Sequence, residues 1–152
     1  MNRRWTFKLL AATALAAPFA SRGAAAAGEK KMHKLALHVD RNDPDVMKLA
    51  FNNARNAYDL YKSSGEELSV EIVAYSQGLH MFRDDTSPVK EEIRELRKHV
   101  PQIAFGACNN TKQAMEKREG KPVPIIPEAT IVPAGIVRLV ELQEAGYAYV
   151  KP

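Results

Sequence analysis

Residues 102–118 read QIAFGACNNTKQAMEKR. Gln102 to Ala107 is a short run of mostly apolar and small residues, the pattern of a strand covered on both faces. Asn109 and Asn110 are residues that open helices. The helix they predict runs through Met115 to about Arg118 and is stopped by Gly120. Between strand and helix stands Cys108, the single cysteine of the chain. A strand that runs straight into a helix is the repeating unit of an α/β sheet.

The alternation continues on both sides. Leu35 to Val39 is a nearly continuous apolar run and predicts a first strand. Asp43 offers a cap and Pro44 a first helical position. Val46, Leu49, Ala50, Ala54, Ala57 and Tyr61 then recur at spacings of three and four, so a helix is expected to about Ser64, before Gly65. Leu68 to Tyr75 is a second strand, with Val70, Ile72 and Ala74 on one face and Val73 and Tyr75 on the other. Ser87 and Pro88 predict the start of a second helix, whose apolar stripe is Val89, Ile93, Leu96 and Val100. Lys121 to Pro133 holds four prolines and predicts a loop with at most one or two short extended pieces. Pro133 starts a last helix, expected to turn Ile136, Val137 and Val140 inward and to stop at Gly146. Tyr147 to Val150 closes the chain as a strand. The fold class is therefore α/β: a mainly parallel sheet of about five strands between two helical layers.

The N-terminus has a different composition. Arg3 and Arg4 precede an apolar stretch from Trp5 to Ala20, and Ala24 to Ala27 precede Gly28. This is the three-part layout of an export signal, cleaved after Ala27, and it predicts a periplasmic protein consisting of one domain, residues 28–152. The arginine pair hints at twin-arginine export, but the aromatic residue stands one place late. The leader carries four of the 22 basic residues and no acid, which leaves 18 basic against 18 acidic residues, a net charge of zero. Such a domain gives no electrostatic reason to expect nucleic acid or an anionic membrane as partner, and near-zero charge eases self-association. One cysteine excludes an internal disulfide framework and every multi-cysteine metal site.

In a sheet of this kind ligands collect beyond the carboxyl ends of the strands. Those ends deliver His38 and Asp40, then Ser76, Gln77 and Gly78 with His80 just after, then Cys108, Asn109 and Asn110. A cysteine at a helix start meets free amide hydrogens and the positive end of the dipole, both of which favour its thiolate. Asn109 or Asn110 would cap that helix. The alternative is a buried, inert cysteine. His80 is expected within reach of the Cys108 pocket, and His38 is read as a core or edge histidine or a proton-transfer group. Cys108, His38 and His80 lack the close spacing of metal ligands, so no metal is expected. Gly78 and Gly106 lack the spacing of a phosphate loop, so no nucleotide or other cofactor is expected. Asp40 is read as solvating its loop, Arg138 as a surface salt-bridge partner, and Tyr147 and Tyr149 as sharing one face of the last strand.

The Leu35–Val39 start, the strand from Val70 through Gly78 to Leu79, the run Ile103 to Thr111, the stretch Val132 to Leu139 and the tail Gly146 to Pro152 together resemble the DsrE/DsrF family. The resemblance spans the mature chain; its most specific parts are the cysteine–asparagine run and the tyrosine-rich tail. It implies a three-layer α/β/α fold, assembly into dimers to hexamers, and sulfur passed as a persulfide on the cysteine that falls on Cys108. Relay members of this type work in the cytoplasm with several partners, whereas this chain is read as exported, so a tRNA-thiolation role does not carry over and the sulfur donor and acceptor are unknown. The second reading is a non-catalytic oligomeric binding module with a structural Cys108.

Overall fold

The computed structural model describes residues 30–152, so the predicted export signal, residues 1–27, lies outside the described residues. The chain order is β1 (Met32–Val39), α1 (Pro44–Ser63), β2 (Glu67–Ala74), a 3-10 segment (Ser76–Phe82), α2 (Lys90–His99), β3 (Ala104–Cys108), α3 (Asn109–Glu119), β4 (Thr130–Val132), α4 (Gly135–Glu144) and β5 (Ala148–Val150). The five strands form one sheet in the order β4-β3-β2-β1-β5. All pairs are parallel.

That strand order decides which helix covers which face. From β1 to β2 to β3 to β4 the chain steps one way, and right-handed crossovers put every connecting helix on the same side. From β4 to β5 it returns across the full width, so α4 lies on the opposite side. The side chains follow. Leu37, Val39, Val70, Ile72 and Phe105 pack with Met47, Phe51, Ile93 and Leu96 on the α1–α3 side. Ala36 and Val73 pack with Leu139 and Leu142 under α4, with Tyr75 and Tyr147 at the margin. Each buried Leu, Ile or Phe contributes about 1.5–3 kcal/mol, so the first cluster carries most of the stability.

The expected elements form, with physical corrections. Asp43 caps α1 by accepting from the Asp45 N–H at 2.9 Å. The second helix starts at Lys90 rather than Pro88; the Ser87 hydroxyl accepts from the Val89 N–H at 3.2 Å and donates to the Met81 carbonyl at 2.6 Å, fixing a turn ahead of the helix. The third strand is shifted toward Cys108, because Gln102 belongs to the preceding turn and donates its side-chain amide to the Leu68 carbonyl at 2.9 Å. The 3-10 segment was not foreseen; it buries Leu79, Met81 and Phe82. The largest correction concerns α4. Ile136 and Val137 are 58% and 51% exposed and Val140 also faces outward, while Gly135, Leu139 and Leu142 are buried. Both sides of this helix are apolar. The side that contains glycine wins, since it admits the closest approach to the sheet.

One ion pair crosses the α4 face. Arg138 donates to both carboxylate oxygens of buried Glu71, at 2.9 and 2.7 Å. The expected surface salt bridge of Arg138 is therefore anchored on a buried partner. No helix among the described residues is long and apolar enough to cross a membrane.

Candidate functional site

At the carboxyl edge of the sheet, neighbouring β3 and β4 send their chains to opposite faces: β3 into α3 and β4 into α4. This is a topological switch point, where an open α/β sheet leaves a crevice between diverging connections. Cys108 is the last residue of β3, paired with Val132 of β4. It sits where the starts of α3 and α4 converge. The Asn110 N–H also donates to the Pro133 carbonyl at 3.3 Å, stitching the two connections together.

Two opposing influences act on the Cys108 thiol. Burial raises its pKa, because Cys108 is only 4% exposed. Against that, the Thr111 hydroxyl and the backbone N–H groups of Gly135, Thr111 and Asn110 favour the thiolate, and together they bring the pKa below that of an ordinary thiol. Two of the backbone donors belong to the first turn of α3 and one to the first turn of α4, so two helix N-termini face one sulfur. Thr111 can donate because its oxygen already accepts: the Ser76 N–H reaches Thr111 Oγ1 at 3.0 Å. Ser76 has a φ of +53°, the left-handed region, and is the one non-glycine residue there among those described. A left-handed residue costs about 1–2 kcal/mol. The strain therefore sits beside the sulfur's donor network.

The residues singled out from the sequence divide into groups. Asn110 serves through its backbone. Neither Asn109 nor Asn110 caps α3, since Cys108 itself occupies that position and no side-chain cap bond forms. Gln77, with Ser76, Asn110, Thr111, Ala114 and Arg118, lines an open cleft of about 320 Å³ next to the sulfur's donors. Gly78 belongs to the packing: a Cβ there would lie 2.2 Å from the Val39 carbonyl oxygen, so glycine is needed for β1 and the 3-10 segment to meet. His80 is surrounded by other charges than expected. Burial and then Arg83 hold its pKa down, and Glu119, Arg118 and Asp85 complete its surroundings. Buried Arg83 grips Asp85 and Glu119 with paired bonds of 2.6–2.9 Å, tying the 3-10 segment to the end of α3.

His38 lies under α4, 3% exposed, stacked on Tyr75 with ring centres 4.4 Å apart. Its Nδ1 shares a 2.8 Å hydrogen bond with the Tyr149 hydroxyl. Its Nε2 is buried without a partner among the described residues. Burial lowers its pKa, partly offset by Asp40. Asp40 is paired with Lys151, which holds its carboxyl below the usual range. Tyr147 reaches Ser69 at 2.7 Å on the same side of the sheet, so the two tail tyrosines do share a face. Sequence reasoning missed Thr111, Gly135 and Tyr75. Their signal is topological: they matter because β3 and β4 are neighbours, which no local pattern reveals.

Among the described residues no three His, Cys, Asp or Glu side chains gather as a metal site. A larger hollow, about 520 Å³, opens at the opposite end of the sheet between Met32, Tyr58, Glu67 and Gln102, away from the sulfur.

Comparison with known proteins gives a consistent picture. The DsrE/DsrF-like family matches residues 33–152. The solved structure of MTH1491 from Methanobacterium thermoautotrophicum, a protein of unknown function, superposes with a TM-score of 0.66 at 28% identity, over 79% of this chain and 99% of that one. BT1422 from Bacteroides thetaiotaomicron, a conserved protein of unknown function, does so at 0.51 with 16% identity, over 78% and 94% of the two chains, a likeness of fold alone. No curated protein matches.

Proposed function

The chain belongs to the DsrE/DsrF-like family, and on that premise we propose that it carries and transfers sulfane sulfur as a persulfide on Cys108. The observation that carries this reading is the place of Cys108 at the carboxyl end of β3, where the starts of α3 and α4 meet and the Thr111 hydroxyl and three backbone N–H groups favour its thiolate. In loading, the thiolate attacks the outer sulfur of a persulfide or polysulfide. A Cys108 S–S bond forms, the donor's S–S bond breaks, and the donor leaves as a thiolate. In delivery, an acceptor thiolate attacks the outer sulfur and Cys108 leaves as its thiolate. No net oxidation occurs and no cofactor is required.

The same donors serve both steps. They raise the fraction of Cys108 present as the nucleophile, and they stabilise it as the leaving group, which departs faster when its pKa is low. Intact mass spectrometry after exposure to polysulfide, beside Cys108→Ala, tests the proposal. The expected result is added sulfur on the wild type, absent from the variant and released by a reductant. No added mass on a thiol shown to be free by alkylation overturns it. A second reading, a binding module with a structural cysteine, draws on the 4% exposure of Cys108 and would then stand.

Two further parts of the reading concern setting and assembly. We place the mature protein in the periplasm, beginning at Gly28, on the layout of residues 1–27; the N-terminal residue of protein recovered from cells tests this. Self-association is assigned to the outward apolar stripe of α4, Ile136, Val137 and Val140, with a second copy as occupant, because the mature chain carries no net charge to oppose it. Ile136→Glu should lower the molar mass by light scattering without loss of thermal stability; an unchanged mass refutes the surface.

A further inference from the structure

The pairing of Cys108 with Val132 and the 3.3 Å bond from the Asn110 N–H to the Pro133 carbonyl set the start of α4 beside the sulfur, where the Gly135 N–H favours the thiolate, so whatever fixes the start of α4 fixes that influence. The start of α4 rests on Tyr75. A Cβ on Gly135 would lie 2.7 Å from Tyr75 Cδ1 and 3.0 Å from Tyr75 Cβ, closer than packed atoms allow. The Tyr75 ring is stacked in turn on His38, 4.4 Å away with an interplanar angle of 24°. His38 is held by the 2.8 Å bond between its Nδ1 and the Tyr149 hydroxyl, while Nε2 has no partner among the described residues. Tyr149 is itself placed by β5, paired with β1 through Ala36↔Tyr149, and by the Lys151–Asp40 ion pair just beyond.

We propose that Tyr75 is a positioning residue for Cys108 and that the C-terminal strand holds it in register through Tyr149 and His38. The line of contact runs from the tail hydroxyl to the buried imidazole, to the tyrosine ring, to the backbone of Gly135, to the sulfur. The groups that face His38 are Asp40 just past its own strand, Tyr75 just past β2, and Tyr149 and Lys151 from the tail. Burial lowers the imidazole's pKa against the pull of Asp40, and the stacked rings make the contact to Tyr75 one of packing. The inference rests on the persulfide reading only in so far as a thiolate at Cys108 matters to function.

The test is the rate of iodoacetamide alkylation of Cys108 against pH. Tyr149→Phe deletes one hydroxyl without opening a cavity near the sulfur. It should slow alkylation about threefold below the thiol's midpoint and leave the rate unchanged where the thiol is fully ionised. Gly135→Ala should shift the profile the same way and further. Ser69→Ala cuts the 2.7 Å bond of Tyr147, another tether of the same segment, and should leave the profile in place. Tyr75→Phe keeps the ring and should also leave it in place. A Tyr149→Phe profile that overlays the wild type, or an equal shift in Ser69→Ala, overturns the proposal; so does a shift in Tyr75→Phe, since the hydroxyl would then act directly. Melting of each variant separates unfolding from a change at the thiol. Alkylation needs no sulfur donor, so its outcome is independent of whether polysulfide loads the wild type.

Discussion

Replacing Thr111 by valine removes the side-chain donor to Cys108 while keeping the shape of the residue. The Thr111 oxygen accepts from the Ser76 N–H at 3.0 Å, and its hydroxyl favours the Cys108 thiolate. A hydrogen bond to a charged acceptor contributes about 1.5–3 kcal/mol. The low end applies, because the backbone N–H groups of Asn110, Thr111 and Gly135 remain. A loss of about 1.4 kcal/mol is a factor of ten in the thiol–thiolate equilibrium. Alkylation of Thr111→Val should therefore run about tenfold slower below the thiol's midpoint and converge on the wild-type rate at high pH. Thr111→Ser restores the hydroxyl and should stay within about twofold of wild type. The valine variant also strands the Ser76 N–H at a left-handed residue, so melting should fall by an amount equivalent to about 1 kcal/mol. A folded Thr111→Val protein with an unshifted profile would show that the donors do not set the thiol, and the structural-cysteine reading would gain.

Gly78→Ala would drive a Cβ to 2.2 Å from the Val39 carbonyl oxygen, which neither β1 nor the 3-10 segment can yield; unfolding in urea should show a loss of about 3 kcal/mol or more. Arg138→Met leaves the Glu71 carboxylate buried without its partner. The loss should be about 3 kcal/mol, at the low end because the Arg138 side chain is 35% exposed and water screens the site, and Glu71→Leu with Arg138→Met should recover most of it in chemical denaturation. Asp85 is held at a pKa of about 2, against an ordinary 3.8, chiefly by its hydrogen bonds to Arg83. That stabilisation is present above about pH 4 and lost as the pH falls through 2, so Asp85→Asn should melt lower at neutral pH and show a flatter acid limb than wild type.

Local patterns were enough for β1, α1, β2 and α2, because a cap, a proline and a regular apolar spacing each follow from neighbours in the chain. Val89, Ile93, Leu96 and Val100 are all fully buried, as their spacing requires. The orientation of α4 was not legible. Ile136, Val137 and Val140 form as good a stripe as Leu139 and Leu142, and only the contact of Gly135 with Tyr75 decides between them. The site shows the same division. Cys108 at a strand end was readable, whereas Thr111 and Gly135 became visible only once β3 and β4 proved adjacent. His80 was placed by proximity in sequence to Gly78, but the buried Arg83 claims that stretch for the end of α3.

The tether between His38 and Tyr149 joins residues 111 positions apart. Contacts that close so long a stretch of chain form late in folding, since the entropy of closure must be met before they gain anything. The three donors from α3 are local to Cys108 and assemble early. The donor from Gly135 comes into place when the last strand docks beside β1. A chain without its last strand therefore lacks the tether behind the start of α4, and the surroundings of Cys108 are complete only in the whole fold.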